Sequence, residues 1–271
     1  MELFIRFPGF KTKALTLSYD DGVIYDRTLI GILDRYGIKC TFNLNSGIKN
    51  DPRRIPTAEI KEVYKNHEIA VHTLTHPHLE NLTKAEMAQE IIEDRKNLEE
   101  ITGGIVDGMA YPFGLSDSAG EPELAAACGI SYARTTLATH GFGLPKDFLR
   151  WHPTCHHNDA MLPELTERFL APDDTAHPWR IRPSVFYLWG HSYEFNDADN
   201  WELIEAFCAK AGGNDAVWYA SNGEIVHYIN AFRRIEKSAD GRTVYNPAAG
   251  TLFFVADGRE YTLNPGEYIR L

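Results

Sequence analysis

The feature of this sequence that most restricts its fold is a regular alternation of short β-rich segments and helical patterns over about its first two-thirds. Strands that alternate with helices are typical of βα units, in which neighbouring strands of one sheet run parallel. We therefore expect an α/β fold around a parallel sheet or barrel. The predicted strands cover residues 14–19, 40–44, 68–71, 108–110, 131–133, 149–151, 184–189 and 216–219.

The ends of several helices can also be read from the sequence. Thr83 and Glu86 have the spacing of a capping box, so a helix is predicted to begin there and to end near Gly103. An earlier helix has Leu29 and Leu33 on one face. These helices lie between predicted strands, as the βα pattern requires.

From about residue 238 the sequence changes to short β-like runs that are separated by turn residues. The turns are Asp240-Gly241, Asn246-Pro247, Asp257-Gly258 and Asn264-Pro265-Gly266. Phe253 and Phe254 are the apolar centre of this part. We therefore predict a main domain over residues 1–237 and a small β appendage over residues 238–271 that packs on it.

Charge and composition restrict the partners of the chain. Its 27 Lys and Arg residues against 38 Asp and Glu give a net charge of −11, and no basic cluster is present. This balance argues against nucleic-acid and acidic-membrane partners. Neither a signal peptide nor a membrane span is visible, so the expectation is a cytoplasmic protein, or a secreted or cell-surface protein if a leader has been removed. The four cysteines form no Cys-x-x-Cys pair, which argues against a zinc knuckle or a redox motif.

Two adjacent carboxylates, Asp20 and Asp21, come directly after the first predicted strand and are followed by Gly22. Successive side chains of a strand point to opposite faces, and like charges raise the cost of burying each other. A pair that only stabilised the fold would rarely be placed there. The position indicates a reaction centre.

A metal site is indicated by His72 and His76, which follow the predicted strand 68–71. Residues four apart lie on one face of a helical turn, so both imidazoles can reach one ion. With a carboxylate from a neighbouring strand end, the result is a catalytic metal site with open positions for water and substrate. His152 and His156 have the same separation and are a rival pair, although Pro153 between them disturbs a helical turn.

Further reactive groups lie at the ends of other predicted strands. The loop Tyr111-Pro112-Phe113-Gly114 is a tight turn whose backbone N–H groups are suited to an oxyanion. An apolar strand ends at His191. Since ligands and catalytic groups collect at the carboxyl ends of parallel strands, we expect these groups to converge on one rim with the aspartates and histidines.

Together these residues resemble the motifs of the polysaccharide deacetylases, carbohydrate esterase family 4, which have the NodB-homology fold. The family's motifs Thr-Phe-Asp-Asp-Gly, His-Ser/Thr-x-x-His, Arg-x-Pro-Tyr-Gly and Leu-x-x-His are matched, the third only in part, by Ser18-Tyr19-Asp20-Asp21-Gly22, His72-Thr73-Leu74-Thr75-His76, Ala110-Tyr111-Pro112-Phe113-Gly114 and Leu188-Trp189-Gly190-His191. The resemblance extends over roughly residues 14–221. It implies a distorted (β/α)7-type barrel.

The resemblance also implies roles for single residues. Asp21, His72 and His76 would bind one divalent ion, which is usually zinc in this family, with cobalt or nickel able to replace it. Asp20 would be the general base that takes a proton from the activated water. Such an ion lowers the pKa of a bound water toward about 7, so a nearby carboxylate can accept the proton.

The acid and the substrate contacts are assigned in the same way. His191 would be the general acid for the leaving amine or alcohol, and the backbone N–H of Phe113 would help to hold the oxyanion. An imidazole with an ordinary pKa of about 6.5 exchanges protons near neutrality, which suits the acid role. Trp151 and Tyr193 are candidates for an apolar floor under an acetyl group or a sugar ring, with core packing as the alternative, and for Trp189 core packing is the favoured role.

This sequence departs from the family at two points. Ala110 stands where the third motif has an arginine that orients the catalytic aspartate, and the fourth motif, an Asp-Trp pattern, is not recognisable. Arg150 precedes Trp151 at a predicted strand end. We therefore hypothesise that Arg150 supplies the missing cation to Asp20, while a structural role for Arg150 is the alternative.

The activity expected from the resemblance is metal-dependent removal of N- or O-linked acetyl groups from a carbohydrate. One alternative is hydrolysis of another C–N bond, in a small amide, ureide or cyclic imide, on the same scaffold. A second alternative is a non-catalytic carbohydrate-binding protein.

Overall fold

The computed structural model describes residues 2–115, 117–118, 120–173 and 181–271. The strands within this part of the chain are β1 (Phe4–Arg6), β2 (Lys13–Asp20), β3 (Cys40–Leu44), β4 (Glu68–Val71), β5 (Gly108–Ala110), β6 (Tyr132–Arg134), β7 (Cys155–His156), β8 (Ser184–Gly190), β9 (Val217–Tyr219), β10 (Glu236–Lys237), β11 (Thr243–Tyr245), β12 (Leu252–Ala256), β13 (Arg259–Leu263) and β14 (Tyr268–Arg270). The α-helices are α1 (Asp26–Arg35), α2 (Thr57–Val63), α3 (Lys84–Thr102), α4 (Glu121–Ala127), α5 (Leu162–Leu170), α6 (Ser192–Asp197), α7 (Trp201–Ala211) and α8 (Asn222–Arg233). Short 3-10 turns cover Pro8–Phe10, Leu79–Asn81 and Phe148–Arg150.

The core of the molecule is a curved parallel sheet with the strand order β6-β5-β4-β3-β2-β8-β7. The central strand β2 pairs with β8 along one edge, while β3 and β9 pair with successive halves of its other edge. All of these pairs are parallel, so the carboxyl ends of the strands meet at one rim. The predicted distorted (β/α)7-type barrel is confirmed.

Strand β2 shows why this sequence forms a central strand. Every residue of Lys13–Asp20 is buried, as expected of a parallel strand that is covered on both faces. The longest helix, α3, begins at Thr83, whose side chain accepts a hydrogen bond from the backbone N–H of Glu86 in the predicted capping box. It ends at Gly103 with φ 76°, a left-handed conformation that favours glycine.

One strand prediction was wrong, and the short strands β1, β7 and β10 were not predicted. Residues 149–151 were expected to form a strand, but Phe148–Arg150 form a 3-10 turn that the side chain of Asp147 caps. Trp151 makes only an isolated parallel bridge with Arg134. Strands β1 and β7 were missed because segments of three and two residues are too short to show the alternation of apolar and polar residues that is typical of a strand.

The C-terminal part forms two small antiparallel sheets, as its turn residues suggest. One has the order β10-β11-β14, and the other, β1-β12-β13, includes a strand from the beginning of the chain. Leu252, Phe254 and Leu263 are fully buried in this part. The division into residues 1–237 and 238–271 stays a prediction. Among the residues described above, no helix has the length and apolar character needed to cross a membrane.

Candidate active site

The carboxyl ends of the parallel strands bring together the side chains that the sequence singles out. Asp20 is the last residue of β2, with Asp21 directly after it. His72 follows β4 directly, and His191 follows β8 in the same way. The side chains therefore come from three strands that are close neighbours in the sheet.

Asp20 lies at the centre of this group and is buried. Its Oδ1 accepts a hydrogen bond of 2.7 Å from Asn43 Nδ2, and its Oδ2 accepts one from Arg134 Nη2. The Nε2 atoms of His72 and His191 lie 3.8 Å and 3.9 Å from the same Oδ2. Burial raises the pKa of Asp20, but the Arg134 guanidinium and the two imidazoles outweigh it, so the pKa lies below its ordinary value. The carboxyl is ionised at neutral pH.

Asp21 points elsewhere because the chain leaves the strand at this residue. Its φ is 82°, a left-handed conformation in which an aspartate is more easily accommodated than most residues, and Gly22 follows with φ 66°. Asp21 Oδ1 lies 3.9 Å from His76 Nε2 and 3.5 Å from Arg54 Nη1. The two adjacent carboxylates thus face different partners.

His72 and His76 converge through a loop and not through the expected helical turn. Thr73 and His76 have φ values of 65° and 60°, so the segment cannot continue as a right-handed helix. Thr73 Oγ1 accepts a hydrogen bond of 3.2 Å from the backbone N–H of His76, which closes the loop. The two imidazole rings lie 4.7 Å apart at 71° to each other.

The donor atoms of Asp21, His72 and His76 all lie within 4.8 Å of one another. His72 Nδ1 lies 2.8 Å from the carbonyl oxygen of Ala110. Because a carbonyl only accepts, Nδ1 carries the proton and the Nε2 lone pair is free for a metal. Burial lowers the pKa of His72 to about 4, so this imidazole is neutral. One carboxylate and two neutral imidazoles fit a divalent ion such as zinc, with coordination positions left open.

The cation beside Asp20 is Arg134 and not Arg150. Arg134 is fully buried, and its guanidinium lies 4.2 Å from the centre of the Trp189 ring. Arg150 instead donates hydrogen bonds to three surface carboxylates, those of Asp117, Glu123 and Asp147. The hypothesis that Arg150 supplies the cation to Asp20 is therefore wrong.

The register of the sheet explains how Arg134 takes this place. Ala110, the last residue of β5, lies directly opposite Arg134, the last residue of β6. The guanidinium expected at the position of Ala110 from the resemblance is thus supplied by the neighbouring strand. The sequence held a usable signal, since Arg134 directly follows the predicted strand 131–133.

His191 lies between two carboxylates. Its Nε2 is the atom near Asp20, while its Nδ1 lies 3.4 Å from Glu194 Oε1. Burial lowers the pKa of His191, but Glu194 and Asp20 outweigh this effect, and the pKa lies above its ordinary value. Glu194 was not singled out from the sequence, although it lies one helical turn after His191 at the start of α6.

Two more imidazoles surround Glu194. Its Oε2 lies 3.1 Å from His156 Nε2 and 2.9 Å from His157 Nε2. The rival pair of the sequence is separated, since His152 Nδ1 lies 2.6 Å from Thr135 Oγ1 and belongs to neither group of possible ligands within the described residues. We call His156, His191 and Glu194 the second cluster, because their donor atoms also lie within 4.8 Å of one another.

Of the predicted aromatic contacts, Tyr193 lies beside His191 and Trp151 lies in the core, while the ring of Phe113, which was predicted only through its backbone N–H, lies against His76. The Phe113 side chain is 59% exposed, and its ring stacks on His78 at 3.8 Å and meets His76 edge-on at 4.6 Å. The Tyr193 ring lies 5.1 Å from the His191 ring. Trp151 is buried against Tyr132, Phe148 and Tyr187, so the structure places it in the core.

A cavity of about 460 Å³ opens beside Asp21. Tyr25 and Tyr193 contribute aromatic surface to its wall, and Arg53 and Arg54 contribute positive charge. A volume of this size fits a small molecule or a single sugar unit of a larger one. The cavity therefore reaches the metal-type cluster at Asp21, and Tyr193 links its wall to the His191 side of the site.

The chain is similar in sequence to known deacetylases. Residues 8–133 match the family model described as polysaccharide deacetylase. Chitin deacetylase 1 of Cryptococcus neoformans var. grubii is 31% identical over 127 residues, which are 46% of this chain and 26% of that protein. The matched part of the chain thus spans about a quarter of that relative's length.

Solved structures show the same fold. A protein from Mycobacterium smegmatis that is assigned to the polysaccharide deacetylases superposes with a TM-score of 0.60 at 19% identity, over 86% of this chain and 95% of that one. A family 4 carbohydrate esterase from Streptomyces lividans in complex with acetate superposes with a TM-score of 0.50 at 16% identity, over 78% and 93% of the two chains. At these identities the comparison extends to the fold.

Proposed function

We propose that the chain, whose residues 8–133 match the family model described as polysaccharide deacetylase, is a metal-dependent hydrolase that removes N- or O-linked acetyl groups from a carbohydrate. One observation carries the proposal. The ionised Asp20 carboxylate lies 3.8 Å from His72 and 3.9 Å from His191, directly beside the cluster of Asp21, His72 and His76. A base and an acid thus flank a possible metal site.

Asp21, His72 and His76 would hold the ion. A divalent cation supplies Lewis acidity there, since it lowers the pKa of a bound water toward about 7 and polarises the acetyl carbonyl. Asp20 accepts the proton of the attacking water. Arg134 and Asn43 support this role, because their hydrogen bonds keep the Asp20 carboxylate ionised and fixed in place.

His191 donates a proton to the leaving nitrogen or oxygen. Its Nε2 faces Asp20, and Glu194 on the other side of the ring favours the protonated imidazole. The backbone N–H of Phe113, in the loop after β5, is the proposed donor to the oxyanion. Tyr193, beside His191, lines the cavity in which the substrate binds.

The proposal is tested by measuring acetate release from N- and O-acetylated oligosaccharides. We expect a chelator to abolish release and added zinc to restore it. Asp20→Asn is expected to lower the rate by about 10²–10⁴-fold, the range for a general base, while the protein still binds zinc. Asp240→Asn, in a turn of the C-terminal sheets, is the control and should leave the rate unchanged.

Acetate release that resists both chelation and Asp20→Asn would contradict the proposal. A protein that binds oligosaccharides without releasing acetate would favour the non-catalytic alternative.

A second candidate is hydrolysis of another C–N bond, in a small amide, ureide or cyclic imide. The cavity beside Asp21 favours this candidate, because about 460 Å³ is a typical volume for a small-molecule site. The same assay with ureides and cyclic imides, followed by ammonia or ring-opened product, discriminates between the two. Activity on these compounds with none on acetylated sugars would replace the first candidate.

A further inference from the structure

We propose that Glu90 and Asp94 of helix α3 are positioning residues for the two histidines of the metal-type cluster. His72 and His76 are the two ends of one short segment, residues 72–76, which we call the histidine loop. The proposal rests on the proposed function, in which these two histidines hold the ion. The argument uses the backbone conformation of the loop and the hydrogen bonds that fix it to the helix.

The backbone of the histidine loop needs support from other parts of the chain. Thr73 and His76 have φ values of 65° and 60°, in the left-handed region that residues other than glycine adopt uncommonly. Such conformations persist where the surrounding structure holds them. The hydrogen bond from the His76 N–H to Thr73 Oγ1, at 3.2 Å, lies within the loop and does not fix it to the rest of the molecule. Contacts with other elements must therefore set its position.

Helix α3 provides such contacts from one of its faces. Glu90 and Asp94 are four residues apart, so their side chains lie on the same side of the helix. The backbone N–H of Thr75 donates to Glu90 Oε2, and the Thr75 hydroxyl donates to Glu90 Oε1, both at 2.8 Å. The carbonyl oxygen of Glu90 also accepts a hydrogen bond of 3.0 Å from the N–H of Leu74. Glu90 thus holds the middle of the loop through three hydrogen bonds.

Asp94 holds the beginning of the loop. Its side chain is buried, and its Oδ2 accepts a hydrogen bond of 3.0 Å from the backbone N–H of His72, which also donates to the carbonyl oxygen of Leu44. Asp94 Oδ1 accepts one of 2.7 Å from the backbone N–H of Ser46. Leu44 is the last residue of β3, and Ser46 lies two residues after it. Asp94 therefore joins the loop to the end of the neighbouring strand.

These contacts use groups of the loop that do not bind the ion. Asp94 bonds to the backbone of His72, and Glu90 bonds to residues between the two histidines, so both imidazole rings keep their nitrogens for other partners. Catalytic metal ligands have to be held within about 0.5 Å of their productive positions. If the loop is released from α3, an ion has to order it on binding, and this cost weakens the affinity.

The affinity for zinc tests the proposal, measured by competition with a chromophoric chelator on proteins whose folding is verified by circular dichroism. Glu90→Ala removes both side-chain hydrogen bonds to Thr75, and we expect the dissociation constant of zinc to rise by about 10–100-fold, as when outer contacts of metal ligands are lost. Glu99→Ala is the matched control. Glu99 lies on the same helix and also accepts from a backbone N–H, that of Val106 at 3.1 Å, but in the segment that follows α3. This variant should retain the zinc affinity of the wild type.

Two conservative variants separate positioning from general stabilisation. In Glu90→Gln the amide oxygen can accept from the Thr75 N–H while the amide nitrogen donates to the Thr75 hydroxyl, so the zinc affinity should return to the wild-type value. Asp94→Asn cannot keep both of its contacts, because an amide nitrogen does not accept from a backbone N–H, and its dissociation constant should rise by about 10-fold or more. If general stability alone controlled the affinity, Glu99→Ala would weaken zinc binding in proportion to its midpoint of urea unfolding.

Wild-type affinity in the folded Glu90→Ala protein, or equal weakening in Glu90→Ala and Glu99→Ala, would overturn the proposal and leave the metal site in place. The Glu90 variants decide if Asp94→Asn does not fold. A wild type that binds no zinc would overturn both the positioning role and the metal site. If the expected order of affinities is found in a protein that releases no acetate from acetylated oligosaccharides, the proposed hydrolysis fails and the positioning role of Glu90 and Asp94 stands.

Discussion

At the scale of single residues, the main result is that a buried arginine, Arg134, supplies the cation beside Asp20, which neither Ala110 nor Arg150 does. Arg134 contacts Asp20 from the end of β6, where it lies opposite Ala110 in the neighbouring strand. Its Nη1 also donates to the carbonyl oxygen of Thr135 at 3.2 Å. A planar guanidinium can make both contacts at once, whereas a lysine ammonium is a single point of charge.

We therefore predict that Arg134→Lys lowers kcat/KM for acetate release by about 100-fold, as expected when a catalytic group is slightly misplaced. Arg150→Lys is the matched control and should stay within about twofold, because the Arg150 side chain pairs with three surface carboxylates, and such ion pairs contribute little. Steady-state kinetics in saturating zinc provide the measurement, with circular dichroism to verify folding. Equal losses in the two variants would show that the Arg134 contact with Asp20 has no special role.

A second residue-scale prediction concerns Asp26, which is fully buried at the start of α1. Its carboxyl accepts hydrogen bonds from Ser192 Oγ and from Tyr64 OH, the latter at 2.7 Å. Burial raises the pKa of Asp26 from its ordinary value of 3.8 to about 7. Between these two values the folded state keeps a proton that the unfolded state has lost. The free energy of unfolding therefore falls as the pH rises from about 4 to about 7, by about 4 kcal/mol at most.

Asp26→Asn should remove this part of the pH dependence. Relative to the wild type, the variant is expected to lose less of its free energy of unfolding between pH 5 and pH 8, as measured by urea denaturation at both values. Asp257→Asn changes an exposed carboxyl in the turn between β12 and β13 and should behave as the wild type does. A wild-type pH dependence in the Asp26→Asn protein would mean that this carboxyl is not protonated in the folded state.

At the scale of elements, helix ends that depend on local chemistry are the most predictable features. The capping box of α3 joins Thr83 and Glu86 through contacts in both directions: Thr83 N donates to Glu86 Oε2 at 2.8 Å, and Glu86 N donates to Thr83 Oγ1 at 3.3 Å. We expect Thr83→Ala to lower the free energy of unfolding by about 1 kcal/mol. Thr83→Ser keeps the hydroxyl oxygen and should lose far less. If urea denaturation shows the same loss for both variants, the cap is not the cause.

Loops and short bridges were not predictable to the same extent, because contacts distant in the sequence decide them. The spacing of His72 and His76 suggested a helical turn, yet Thr73 is held in a left-handed conformation and Asn45 Nδ2 donates to its carbonyl oxygen at 3.0 Å. Residues 149–151 carry a β-like composition, but the side chain of Asp147 caps a 3-10 turn there. In both places a side-chain contact decides the backbone conformation, and the spacing or composition of the local sequence does not.

At the scale of the whole molecule, the position of reactive residues at the ends of predicted strands indicated which side chains would share one rim. This succeeded because parallel strands bring their carboxyl ends together regardless of how the loops are built. The register of the strands could not be predicted, and it is the register that places Arg134 opposite Ala110. The second cluster was missed for a related reason: β7 is two residues long, so nothing in the sequence placed His156 beside β8.

The C-terminal part contacts the rest of the chain at two places, at strand β1 near the beginning of the chain and at helix α8 directly before it. Strand β1 pairs with β12, and Tyr228 of α8 bridges them: its hydroxyl donates to the Arg6 carbonyl at 2.6 Å and accepts from the Phe253 N–H at 3.0 Å. An appendage fastened at two places should not unfold alone. We therefore predict one calorimetric transition for the whole chain, with a ratio of calorimetric to van't Hoff enthalpy of about 1.

Tyr228→Phe tests the coupling directly, because it removes the bridging hydroxyl and keeps the ring, which packs 5.6 Å from the Trp218 ring. Loss of two hydrogen bonds should lower the free energy of unfolding by about 1–3 kcal/mol and lower the midpoint of the single transition. Tyr268→Phe, on an exposed tyrosine of the same C-terminal part, is the control and should leave the midpoint unchanged. Two separate transitions in the wild type, of which only one responds to Tyr228→Phe, would show that the C-terminal sheets unfold independently of the barrel.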